Sequence, residues 1–96
     1  MILNIPIKPI PAQSLTIVLN GQQCYIRIFV RNDEVFLDLT VNGIELCKSV
    51  LCIKNVSILP NDSFDFKGII YFTSLEDSEN PDYTLFGDKW FLQYEY

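Results

Sequence analysis

Two acidic clusters and three cysteines are the residues of this 96-residue chain best equipped for chemistry. Asn61-Asp62-Ser63-Phe64-Asp65 and Glu76-Asp77-Ser78-Glu79-Asn80-Pro81-Asp82 are dense in the oxygen ligands that calcium takes. Neither keeps the alternate-position carboxylate spacing of a calcium loop, so both are expected to be solvated acidic loops. A carboxylate pair such as Asp82 and Asp88 could serve hydrolysis as acid and base, but a chain this short lacks a second lobe to build a cleft. Cys24, Cys47 and Cys52 are odd in number, include no CxxC pair and match no zinc spacing. They are expected to be free thiols, some of them in the core. There is no histidine, so a Ser-His-Asp or Cys-His arrangement cannot form. No GxGxxG or GK[ST] motif occurs. No enzyme activity, cofactor or metal is expected.

Charge narrows the partners. Seven basic against twelve acidic residues give a net charge of −5, which argues against binding a phosphate backbone. The opening MILNIPIKPIPAQ lacks both a basic n-region and a long apolar run, and its prolines would interrupt a helix. No signal peptide or membrane span is expected, and free thiols fit a soluble product of a reducing cytoplasm. An apolar share of 49% with 14% aromatics is a globular composition, expected to form one domain over residues 1–96.

The elements that must position these residues read as strands. Residues 1–13 carry Pro6, Pro9 and Pro11 and are expected to form an extended arm. From Ser14 onward apolar residues alternate with period two, punctuated by Asn20-Gly21, Asn32-Asp33 and Asn42-Gly43. Two-residue turns dictate register. Turning at 20–21 sets Ile17 against Cys24 and Leu15 against Ile26. Turning at 32–33 sets Val30 against Val35, Ile28 against Leu37 and Ile26 against Leu39 on one face. On the other face Arg31 meets Glu34, Phe29 meets Phe36 and Arg27 meets Asp38, all favourable cross-strand pairs. Turning at 42–43 would put Lys48 on the apolar face opposite Leu37. One bulge near Cys47-Lys48 is therefore expected, carrying Ser49, Leu51 and Ile53 to the other parity.

After a loop around Pro60-Asn61, further strands are expected at 68–74 and 89–96. No segment has a helical period, and the only candidate for a short turn lies within 74–82. The fold class is all-β: an antiparallel meander of about six strands, closed as a barrel or packed as a sandwich, which limits exposed edges.

The loop over residues 75–88 is long for so small a domain, and such loops tend to be functional. Pro81 and Tyr83 would pin it, Asp82 would cap a short turn, and Gly87 would supply a left-handed residue before the last strand. In that strand Trp90, Leu92, Tyr94 and Tyr96 share one parity. The stripe is expected to pack in the core, with a subunit contact as the functional alternative. A third possibility makes Tyr83, Phe86 and Trp90 an exposed platform for a soluble ligand such as a carbohydrate.

Several blocks carry a family resemblance: IPIKPIPAQ at 5–13, LNGQQCYIRI at 19–28, VFLDLTVNG at 35–43, LC at 51–52 and PDYTLFGDKWFLQY at 81–94. Through them the chain resembles the baseplate plug proteins of cyanophage-type contractile tails. The opening IPxxPxPxQ and the closing PDYxxxGDxW are the distinctive parts. The resemblance implies a non-enzymatic virion component near the tail's central hub, made in the host cytoplasm. Its implied partners are other tail and baseplate proteins, with a homo-oligomer as one form. No nucleic acid or membrane is implied. Pro9, Pro11, Tyr83, Phe86 and Trp90 are the residues expected to matter most to the assembled form.

Overall fold

The computed structural model describes residues 1–59 and 66–96. The cluster 61–65 and the Pro60-Asn61 loop lie outside the described residues. Among the described residues seven strands form: β1 (Ile2–Ile5), β2 (Ala12–Leu19), β3 (Gln22–Arg31), β4 (Glu34–Val41), β5 (Ile44–Leu51), β6 (Ile69–Ser74) and β7 (Trp90–Glu95). They make two antiparallel sheets, one ordered β2-β3-β4-β5 and the other β1-β7-β6. Of the two closures expected from sequence, the strands take the sandwich.

The larger sheet is built by its turns. Asn20-Gly21, Asn32-Asp33 and Asn42-Gly43 all have positive φ at both positions, the backbone of the hairpin turn that matches strand twist. Pairing follows the expected register, including Ile17 with Cys24, Ile28 with Leu37, and Arg27 with Asp38. Its inner face contributes Cys24, Ile26, Ile28, Val35, Leu37 and Leu39 to the core. The smaller sheet answers with Ile5, Ile70, Phe72, Trp90, Leu92 and Tyr94.

Two features depart from the expected scheme. The seventh strand, β1, lies within residues 1–13 and pairs with β7, Ile5 against Leu92. Four residues ahead of Pro6 carry too little period to announce a strand, and no local turn leads to a partner near the other end of the sequence. The second departure is in β5, where register shifts fall on both sides of Cys47 rather than once. Lys48 is turned outward as expected, but the two shifts cancel in parity. Val50 and Cys52 therefore face inward while Leu51 stays exposed. Asp38 makes this possible: its Oδ1 accepts the Ser49 amide at 2.6 Å, while its Oδ2 takes Arg27 Nη1 at 3.2 Å.

The sheets are also joined by one buried polar clamp. Gln22 is buried at the start of β3, its Oε1 accepting the Lys67 amide at 2.8 Å. Its Nε2 donates to the carbonyls of Leu19 and Lys67, both at 3.1 Å. The Tyr94 hydroxyl donates to the same Lys67 carbonyl. Gln22 thus fastens the first hairpin to the segment entering β6. Replacing it by leucine leaves buried peptide groups without partners. A loss of about 1–3 kcal/mol is expected, read as a lower urea midpoint with unchanged slope.

Candidate functional site

The 75–88 loop starts and ends at one pinch. Ser74 Oγ accepts the Glu76 amide at 2.9 Å and donates to the Lys89 carbonyl at 2.7 Å. Lys54 then holds the loop's first half, donating from Nζ to the Glu76 carbonyl at 2.6 Å and from its amide to the Glu79 carbonyl at 2.8 Å. The one short helical turn among the described residues is a 3-10 turn at Tyr83–Leu85, just beyond the 74–82 stretch that is the sequence candidate for a turn. Asp82 caps it, its Oδ1 accepting Thr84 N at 3.0 Å and Thr84 Oγ1 at 2.7 Å. Gly87 follows at φ +83°, and its amide returns to the Trp90 carbonyl at 2.8 Å.

This geometry sorts the sequence candidates. Trp90 and Phe86 are buried, at 1% and 3% exposure, and Phe86 stacks on Phe72 with ring centroids 5.3 Å apart. Tyr83 is half-buried against the core. Two of the three rings in the proposed sugar platform are therefore out of reach of a ligand. The stripe in β7 is core through Trp90, Leu92 and Tyr94, and only Tyr96 emerges, at 48% exposure. Pro9 and Pro11 are exposed on the connection between β1 and β2. Gln13 braces that connection, its Oε1 accepting the Lys8 amide at 2.9 Å and its Nε2 donating to the Lys8 carbonyl at 2.6 Å. The connection passes beside the loop, the Ile7 carbonyl lying 3.5 Å from where a Cβ on Gly87 would sit.

An open cleft of about 300 Å³ lies where the β3–β4 turn meets the loop, lined by Val30, Asp33, Val35, Pro81, Asp82 and Tyr83. Its carboxylates are an exposed turn residue, Asp33, and the helix cap Asp82. Among the described residues no three His, Cys, Asp or Glu side chains converge as a metal site. All three cysteines are free, with Cys24 and Cys52 buried. Burial pushes each thiol above its ordinary value, Cys52 furthest, which disfavours the thiolate.

One surface feature carried no motif in the sequence. On the outer face of the larger sheet Phe29 stacks on Phe36 at 5.7 Å. The Arg27 and Arg31 guanidiniums lie over the Phe29 ring at 4.8 and 5.5 Å. The cross-strand pairing of these residues is legible in the alternation, whereas the gathering of two cations on one ring is not.

No helix among the described residues is long and apolar enough to cross a membrane. No curated protein matches the chain. A family model described as "Cyanophage baseplate Pam3 plug gp18" matches residues 2–96.

Proposed function

This chain belongs to the cyanophage baseplate plug family, and from that premise we propose that it acts by protein–protein assembly near the central hub of a phage tail baseplate, without enzymatic activity. The observation that carries the proposal is the family match, which spans essentially the whole chain. The family makes it a structural component of the virion tail baseplate, in contact with other baseplate proteins.

The division of surface and core supports the finer reading. Phe86 and Trp90 act from the interior, holding the loop in one conformation. Pro9, Pro11 and the half-buried Tyr83 offer surface to neighbours, on a rigid frame. The acidic balance suits protein partners and not nucleic acid. Synthesis in the host cytoplasm and docking onto the growing baseplate complete the proposed path, with no membrane step.

Electron microscopy of phage particles carrying a small tag on this protein tests the proposal. Label is expected at the distal end of the tail. Particles that are intact but free of the protein would overturn the proposal and leave a soluble assembly factor instead.

A further inference from the structure

Each sheet of a sandwich ends in two edge strands, and exposed edges invite pairing with other chains unless they are blunted. Three of the four edges here are blunted. β6 is covered by the segment after β5: the Asn55 amide donates to the Phe72 carbonyl at 2.7 Å and the Ile58 amide to the Ile70 carbonyl at 2.8 Å. β5 is broken by its two register shifts, with Ser49 at φ +54° and Lys48 exposed. β1 is four residues long and stops at Pro6.

Among the described residues β2 has none of these devices. Its eight residues, AQSLTIVL, contain no charge and no proline, and they run in unbroken register along β3. The Val30 amide donates to the Pro11 carbonyl at 3.0 Å. In the alternation of an antiparallel ladder this makes Gln13, Leu15, Ile17 and Leu19 the residues bonded to β3. The amides and carbonyls of Ala12, Ser14, Thr16 and Val18 therefore point away from the sheet.

The charge around this edge favours one kind of partner. Residues 1–32 contain Lys8, Arg27 and Arg31 and no acidic residue, so all twelve acids of the chain follow. Arg27 is already paired with Asp38, whereas Lys8 and Arg31 make no ion pair among the described residues. We propose that the open edge of β2 receives an extended acidic segment of a different baseplate protein, which adds to the larger sheet as a further strand. The proposal rests on the baseplate reading above. A second copy paired β2 to β2 would set this acid-free stretch against itself, like charge facing like charge, which disfavours self-pairing.

Thr16→Pro tests the inference, because it removes an outward amide while leaving the bonds to β3 in place. Thr16→Val, which keeps the amide, is the control. The Pro variant is expected to fold normally when purified, while its content in phage particles falls about tenfold or more against wild type. The Val variant is expected in particles at the wild-type level. Incorporation of the Pro variant at that level would overturn the proposal. So would a purified wild-type dimer that Thr16→Pro disperses, since the occupant would then be a second copy. Should the Pro variant misfold, amide exchange over residues 12–19 gives an independent readout. Exchange is expected to be slower in wild-type particles than in the purified protein, and equal rates would overturn the inference. Absence of the wild-type protein from particles overturns the baseplate reading as well, whereas failure of the edge alone leaves that reading standing.

Discussion

Trp90→Ala is expected to lower stability by about 3–5 kcal/mol, the usual cost of removing a large aromatic from a core. For a domain of this size that corresponds to a melting point lower by roughly 15 °C or more. The side chain is 1% exposed and opens β7, opposite Ser74 of β6. Its backbone carbonyl holds the Gly87 amide, and it bridges to Phe86, so the ring packs where the loop re-enters the sheet. Removing it leaves a cavity that neighbours fixed in strands cannot collapse to fill. Small domains hold only about 5–15 kcal/mol in total, so much of the margin would go. Circular dichroism melts are the right measurement, because Trp90 is the only tryptophan and its fluorescence vanishes with it. An unchanged melting point would mean that the ring is not a core element. The loop is expected to loosen with the ring, so incorporation into particles should fall too, even though Trp90 is buried within its own chain.

Gly68→Ala is expected to cost about 2–5 kcal/mol, from two separate penalties. The residue sits at φ +97°, where a Cβ is strained whatever the space around it. That Cβ would also lie 2.6 Å from Tyr94 Cε1 and 2.8 Å from the Glu95 carbonyl oxygen. The ring cannot swing away, because Tyr94 is buried and its hydroxyl is bonded to the Lys67 carbonyl. The carbonyl belongs to the β7 backbone and has nowhere to go. Gly43→Ala separates the two penalties. Gly43 lies at φ +82° with nothing within 4 Å of its Cβ position, so only the backbone term applies. It should lose about 1–2 kcal/mol. Denaturant midpoints for the two variants are expected to differ clearly. Equal losses would show that β6 and β7 can part at Gly68 without cost.

Both substitutions act where β6 and β7 meet, and the sequence foretold these two sites unequally. Gly68 merely opens the strand expected at 68–74, and nothing beside it in the sequence marks a special duty. The close approach of Tyr94 comes from a strand more than twenty residues downstream, so no local pattern records it. The aromatic stripe of β7, by contrast, was visible as a parity. What alternation could not say is where the stripe leaves the core. The sandwich buries Trp90, Leu92 and Tyr94 and lets Tyr96 out, because the opposing sheet covers the first three positions. The same burial removed the sugar platform, which had needed Phe86 and Trp90 at the surface.

The hairpins of the larger sheet were legible from sequence because each depends on adjacent residues alone. Asn-Gly and Asn-Asp adopt the positive φ values that a two-residue hairpin needs, and period two then dictates every pair along β2, β3 and β4. The cap at Asp82 and the left-handed Gly87 are local in the same sense. Tertiary structure alone decided the pairing of β1 with β7, the Gln22 clamp and the double shift around Cys47. Each joins groups brought together by packing rather than by a turn: Ile5 with Leu92, Gln22 with Lys67, Asp38 with the Ser49 amide. It also decided which edge stays open. Chain geometry over a few residues sets a strand's partners across a tight turn, whereas the covering of an edge depends on segments that meet only when the two sheets close.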